Sequence, residues 1–283
     1  MTKTRVIAAL VMAPAAICAI LFLRTDWLAA LAAVVFLTGL WEWLKLSGVD
    51  DSLPRTVLLF LNLLLMVLLV WASAGSLVLF QIAALIGVGW WLLALIWLRF
   101  FNFGADGDGR ARVLKLAAGT SAIIPAWAAL LLLHLGTREA FDGIASLRDH
   151  LWLLAALMTV WAADSGAYFA GRHFGRHKLA PRISPNKTLE GVAGGLIAGL
   201  VVAIVFGLLA GLPIAKLPNL LLAATLAVLA SVLGDLFESL LKRHAGAKDS
   251  GNVIPGHGGV LDRIDGVLAA LPVFALSKDI LGF

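Results

Sequence analysis

Long apolar runs alternate with short polar connections along the whole chain. Runs of about 18 to 24 residues are long enough to cross the roughly 30 Å hydrocarbon core of a bilayer as helices. A membrane β-barrel would instead show short segments of alternating polarity. The pattern predicts an all-α, polytopic integral membrane protein with nine spanning helices, at residues 5–23, 27–46, 56–74, 76–98, 117–136, 151–171, 191–211, 217–240 and 266–281.

Two connections, 172–190 and 242–265, are longer and more polar than most others. Each follows an acid inside a predicted span, Asp164 in the first case and Asp235 in the second. Ionisable groups at that depth are costly and usually face a polar interior. We therefore expect a single membrane domain, 1–283, with N-terminal helices in 1–150 and the site-bearing helices and loops in 151–283.

Composition and charge narrow the class further. With 61% hydrophobic and 14% charged residues, the chain is not an ordinary soluble domain. The net charge of +5 suits anionic headgroups or phosphate substrates. Nucleic acid is not an expected partner, because the basic residues are spread between helices. The single cysteine, Cys18, leaves no disulfide framework and no cysteine-based metal site.

Most of the 22 Lys and Arg residues fall on one side of the predicted helices, together with the N-terminus and both polar loops. Cytoplasmic loops of membrane proteins carry such an excess of positive charge. The compact form and the lack of an organellar presequence favour a bacterial inner membrane. We expect the site to face the cytoplasm.

The eighth predicted span carries a polar stripe. Its members occur at i, i+3, i+4 and i+7 and so share one helix face: Asp235, Glu238, Ser239 and Lys242. The following loop leads Asp249 back towards this face, so Asp235 and Asp249 are predicted to converge on a divalent cation. Carboxylate oxygens suit Mg²⁺. The alternative is an ion-pair network that only fixes helix packing.

Both polar loops also have features of a phosphate site. Glycines around His257 permit close backbone approach, and exposed backbone N–H groups can hold phosphate oxygens. In the earlier loop, Thr188 is a predicted N-cap, and Lys187 beside a helix N-terminus favours bound phosphate. The alternative is that this loop only caps the helix and carries the positive charge typical of cytoplasmic loops.

Residues 239–265 resemble the signature of the phosphatidate cytidylyltransferases. The segment contains Ser-x-apolar-Lys-Arg, four residues, Lys-Asp, then His-Gly-Gly and Asp-Arg-x-Asp, each at the family spacing. Upstream blocks, including Asp164-Ser-Gly-Ala-Tyr168, extend the similarity over 160–266. The first 150 residues share only the multi-span character. Leu189 stands where many relatives carry Trp, and Ser165 where Thr is common; neither departure removes a charge.

The resemblance implies transfer of CMP from CTP to phosphatidate, giving CDP-diacylglycerol and pyrophosphate at the lipid bilayer. It implies Mg²⁺, leaves room for a second cation such as K⁺, and suggests a homodimer. Together with the charge pattern, it suggests Asp235 and Asp249 as metal ligands. The expected catalytic residues are Asp235, Asp249, Lys248, Arg263 and Asp265. The expected substrate-binding residues are Lys187, Ser184, Ser239, Lys242, Arg243, His257, Gly258, Gly259 and Asp164.

Two other functions fit parts of the sequence. A cation-coupled transporter could use Asp164 and Asp235, although such proteins favour paired broken helices in related repeats. A CDP-alcohol phosphotransferase would need an Asp-Gly-x-x-Ala-Arg motif. The nearest segment, Asp108-Gly-Arg-Ala-Arg112, is one residue short.

Overall fold

The computed structural model describes residues 2–136, 147–253 and 258–283. Nine long α-helices occur within these ranges, and each predicted span coincides with one of them. The helices are α1 (Thr2–Phe22), α2 (Thr25–Leu46), α3 (Ser52–Ala72), α4 (Val78–Arg99), α5 (Gly109–Leu135), α6 (Leu147–Phe174), α7 (Leu189–Leu209), α8 (Leu217–His244) and α9 (Leu261–Leu281). A small antiparallel hairpin of β1 (Lys178–Ala180) and β2 (Ser184–Thr188) lies between α6 and α7.

Seven helices of the described residues, α2 to α8, have the length and composition needed to cross a membrane. This confirms the all-α, polytopic class. The predicted number of nine spans is not confirmed. The side chains of α1 are described only from Val11 onward, and α9 carries several charges, namely Asp262, Arg263, Asp265, Lys278 and Asp279.

Side-chain caps extend two helices beyond the apolar runs that predicted them. Helix α5 begins at Gly109, ahead of the predicted start, because Asp108 Oδ1 accepts a hydrogen bond from the Ala111 amide at 2.7 Å. Helix α7 begins after Thr188, whose Oγ1 accepts from the Gly191 amide at 3.1 Å. The predicted Thr188 cap is therefore confirmed. Hydropathy alone places the starts of α5 and α7 too late in the sequence.

Helices α6 and α7 pack closely through small residues. A Cβ atom on Gly194 would collide with Ala170, and one on Gly195 would lie 2.7 Å from the Ala163 carbonyl oxygen. Small residues at such an interface let two helix backbones approach closely. This contact holds the start of α7 against the part of α6 that carries Asp164.

Helices α8 and α9 cross at a second close contact. A Cβ on Gly234 would overlap the Asp265 carbonyl oxygen, and one on Gly266 would lie 3.3 Å from the Ser231 carbonyl oxygen. The crossing therefore places Asp235 next to Asp265. Helix α9 also packs against α4 and α5, and its middle section from Gly266 to Pro272 is buried.

The first polar loop is folded rather than irregular. Its strands pair with Lys178 opposite Thr188 and Ala180 opposite Ser184. Glu190 accepts from the Arg176 amide at 3.0 Å, which closes the base of the hairpin. Backbone groups at a membrane edge need such partners. The hairpin brings β2 over the polar face of α8.

Candidate active site

A cavity lies between α6, α7, α8, α9 and the hairpin. Its volume is ≈ 770 Å³. Five of the residues predicted from the sequence line it together, although they come from four different elements: Asp164, Ser184, Lys187, Asp235 and Asp265. Additional polar lining comes from Arg172, Lys178, Asn186 and Asp262.

Three carboxylates form a tight cluster at this cavity. Asp235, Glu238 and Asp265 each place one carboxylate oxygen so that all three lie within 4.8 Å of one another. Asp235 and Glu238 share one face of α8 at i and i+3, and the α8–α9 crossing adds Asp265. Like charges at this separation repel unless a cation or proton offsets them.

The donor set fits a divalent cation. Glu238 is only 1% exposed, and its Oε1 has no hydrogen-bond partner among the described residues. A buried carboxylate oxygen without a partner is costly. Three carboxylate groups that present hard oxygen atoms are typical of Mg²⁺ ligation. These three residues would hold the ion.

Two lysines flank the cluster. Lys187 Nζ lies 2.5 Å from Asp235 Oδ2, and the two side chains are 23% and 36% exposed. Lys242 pairs with Glu238 of the same helix and with Asp262 Oδ1, the latter at 2.7 Å. Lys242 therefore joins α8 to the start of α9. Ser239 donates to Asp235 Oδ1 at 3.4 Å.

Asp262 organises the second polar loop. Its Oδ2 accepts from the Ser250 amide at 3.0 Å, the Ser250 hydroxyl at 2.9 Å and the Gly259 amide at 2.8 Å. Gly258 has φ +86°, and a Cβ there would lie 2.8 Å from Asp262 Oδ2. The Gly259 amide is thus already bonded within the protein. His257 lies outside the described residues, and phosphate binding by this turn stays a prediction.

Eight of the predicted residues that the structure describes do not line the cavity: Ser239, Lys242, Arg243, Lys248, Asp249, Gly258, Gly259 and Arg263. Of these, Arg243, Lys248, Asp249 and Arg263 are exposed. Arg243 Nε donates to the Ile183 carbonyl at 3.2 Å and so ties α8 to the hairpin turn.

The sequence predicted that Asp235 and Asp249 converge on one ion. The carboxylate cluster in the described part of the chain contains Asp235 but not Asp249. Helix α8 continues to His244, and Lys248 and Asp249 follow in a turn beyond its end. The acid brought beside Asp235 is Asp265 of α9, because the two helices cross there.

Sequence reasoning gave too little weight to Glu238 and Asp262. The spacing of Glu238 from Asp235 was a usable signal, since it puts both acids on one helix face. Arg172 and Lys178 were not singled out as lining residues, because their position depends on the fold of the hairpin. No local pattern marks them.

Comparison with known proteins identifies the family of the chain. Residues 3–281 match the profile described as the cytidylyltransferase family. The phosphatidate cytidylyltransferase of Haemophilus influenzae is 39% identical over 288 residues, with 97% of this chain and 98% of that protein covered. That of Pseudomonas aeruginosa is 39% identical over 277 residues, covering 97% and 96%. That of Bacillus subtilis is 50% identical over 121 residues, covering 43% and 45%. Because the match extends over nearly all of the chain, the protein belongs to the cytidylyltransferase family.

Proposed function

We propose that this protein transfers CMP from CTP to phosphatidate, forming CDP-diacylglycerol and pyrophosphate. The observation that carries the proposal is the cluster of Asp235, Glu238 and Asp265, with Lys187 beside it, at a cavity lined by Asp235, Asp265 and Lys187. Similarity over nearly the full length to two phosphatidate cytidylyltransferases supports the choice of substrates.

The reaction requires two anions to approach each other. A phosphate oxygen of phosphatidate attacks the α-phosphorus of CTP, and a new P–O bond forms. The bond from the α-phosphorus to the oxygen that bridges to the β-phosphorus breaks, and its electron pair leaves with pyrophosphate. A phosphate monoester is already ionised at neutral pH, so neither a covalent intermediate nor a strong base is needed.

The protein's own residues lower the repulsion. Lys187, Arg172 and Lys178 line the cavity and can hold phosphate oxygens while charge develops on the leaving group. Asp235, Glu238 and Asp265 would hold Mg²⁺, which when bound supplies charge neutralisation at the phosphates. Positioning and electrostatic stabilisation account for most catalysis in phosphoryl transfer.

Further parts of the proposal concern setting and assembly. A second cation such as K⁺ would have Asp164 available on the same cavity. The excess of Lys and Arg on one side of the helices supports an inner membrane with the cavity at the cytoplasmic face. A homodimer is supported by the family resemblance.

The test is CTP-dependent pyrophosphate release by detergent-purified protein given phosphatidate and Mg²⁺, with labelled CDP-diacylglycerol followed by chromatography. Asp265→Asn is compared with Asp279→Asn, which changes an exposed acid near the other end of α9. We expect Asp265→Asn to lower kcat about 100- to 1,000-fold, the size of a lost transition-state contact. Asp279→Asn should keep wild-type turnover.

The result that contradicts the proposal is wild-type protein that is folded but makes no CDP-diacylglycerol. Ion flux in proteoliposomes would then favour the transporter alternative. Equal activity of Asp265→Asn and Asp279→Asn would show that Asp265 is not part of the active site, but it would not contradict the proposed reaction.

A further inference from the structure

Glu42 of α2 contacts the second polar loop from outside the part of the chain that carries the sequence signature. The side chain is buried, with 2% exposure. Its Oε2 accepts from the Leu261 amide at 2.7 Å and from the Ser250 hydroxyl at 3.1 Å. Ser250 lies within the loop that joins α8 to α9, and Leu261 is the first residue of α9. One carboxylate oxygen therefore ties the loop and the start of α9 to α2.

The surroundings of Glu42 are shaped around this contact. A Cβ atom on Gly251 or on Gly259 would overlap the Glu42 carboxylate. Burying a carboxylate costs free energy unless strong hydrogen bonds offset it, and bonds to an ionised acceptor are about twice as strong as neutral ones. Glu42 has no lysine or arginine partner among the ion pairs of the described residues. The Leu261 amide and the Ser250 hydroxyl compensate Oε2, whereas Oε1 has no hydrogen-bond partner among the described residues.

A continuous set of polar contacts leads from Glu42 to the carboxylate cluster. The Ser250 hydroxyl lies between Glu42 Oε2 and Asp262 Oδ2, at 3.1 Å and 2.9 Å, and the two acceptors share its single proton. The other oxygen of Asp262 accepts from Lys242 at 2.7 Å. Lys242 then pairs with Glu238 of the cluster. Each step joins a different element, from α2 through the loop and α9 to α8.

We propose that Glu42 is a positioning residue for the transfer reaction. It holds Ser250 and Leu261 so that Asp262 and Lys242 keep Glu238 in place within the carboxylate cluster. Glu42 is not among the described residues that line the cavity, so it acts through the loop and not on the substrate. The expected loss of kcat rests on the proposed function. The expected loosening of the loop does not depend on which reaction the protein catalyses.

The test uses the full chain in detergent with Glu42→Ala, Glu42→Gln, Ser250→Ala and the double variant Glu42→Ala/Ser250→Ala. Trp43→Phe is the matched control, because it removes a buried hydrogen bond of the neighbouring α2 residue to the Lys115 carbonyl and leaves the loop untouched. Three quantities are measured: kcat and KM for CTP, the melting temperature, and hydrogen exchange of peptides covering 248–262.

We expect Glu42→Ala to lower kcat about 10- to 100-fold, as the loss of an outer support of a metal site does. Glu42→Gln retains an acceptor oxygen and should stay within about threefold of wild type, since a difference of roughly 0.5 kcal/mol corresponds to that ratio. The double variant should be no slower than Glu42→Ala alone, because residues in one network are not additive. Loop peptides should exchange faster in Glu42→Ala but not in Trp43→Phe.

The proposal is overturned if Glu42→Ala keeps wild-type kcat, or if its only change is a lower melting temperature like that of Trp43→Phe. Additive losses in the double variant would also overturn it. If Glu42→Ala does not fold, Ser250→Ala must slow turnover and speed loop exchange by itself. Faster exchange in protein that makes no CDP-diacylglycerol would reject the proposed reaction and leave the loop contact standing.

Discussion

The helix-borne acids and the loop-borne charges of the segment 235–265 behave differently, although the sequence presents them as one signature. Asp235, Glu238 and Asp265 lie on α8 and α9 and meet within 4.8 Å. Lys248 and Asp249 lie in the connecting turn and are exposed. The α8–α9 crossing at Gly234 fixes the first group, whereas backbone contacts to Asp262 fix the loop. Proximity along the chain is therefore a poorer guide to this site than the crossing of two helices.

The largest expected effect separates the two groups directly. Asp235→Asn should lower kcat/KM about 100- to 1,000-fold, because it removes a charge that faces both the cluster and Lys187. Asp249→Asn, the loop counterpart, should cost about tenfold at most. Turnover of CTP with phosphatidate, measured side by side, checks the order. A larger loss in Asp249→Asn would place the metal site as the sequence spacing predicts.

The ion pair of Lys187 with Asp235 gives the next largest effect. Lys187→Met should lower kcat/KM about 10- to 100-fold, because it removes a cation that can hold phosphate oxygens and leaves Asp235 without its partner. Arg176→Met is the control, since it removes an exposed cation of the same connection that does not line the cavity. Equal losses in both variants would mean that overall positive charge, rather than the pair, matters.

The helix crossing itself can be perturbed without touching a charge. In Gly234→Ala the new methyl group meets the Asp265 carbonyl, so α8 and α9 must separate. Overpacking typically costs about 1–3 kcal/mol. We expect a lower melting temperature and roughly tenfold lower kcat, since the acids move apart. Gly89→Ala, whose methyl group meets nothing within 4 Å, should change neither quantity. Unchanged activity in Gly234→Ala would show that the crossing does not set the cluster.

The smallest expected effect is that of Lys248→Ala. This exposed loop residue lies outside the cavity lining of the described residues. Exposed substitutions usually change stability by less than about 0.5 kcal/mol, and we expect kcat/KM within about threefold of wild type. The steady-state rate over a range of CTP concentrations checks it. A loss as large as that of Lys187→Met would show that the loop closes on the substrate.

Much of the architecture follows from local sequence. Apolar runs predict the helices, and Thr188 predicts the start of α7. The acids within predicted spans indicated where the cavity lies. Each of these signals is local or has the period of a helix, so one sequence is sufficient to find it.

Other parts depend on contacts between distant residues. Glu42 and Leu261 are far apart in sequence and meet only because α2 packs against α9. The hairpin was missed because its strands are short and polar, and pairing across the turn decides their structure. The grouping of Asp265, rather than Asp249, with Asp235 depends on a helix crossing that sequence spacing does not encode.

The most direct test of the central claim is binding of Mn²⁺, as a spectroscopic substitute for Mg²⁺, to the detergent-purified protein. Electron paramagnetic resonance gives the free ion concentration for wild type, Asp265→Asn and Asp249→Asn without any need for turnover. If the helix-borne acids hold the ion, Asp265→Asn should raise the Kd at least about tenfold while Asp249→Asn leaves it unchanged. A raised Kd in Asp249→Asn with normal binding by Asp265→Asn would contradict the account.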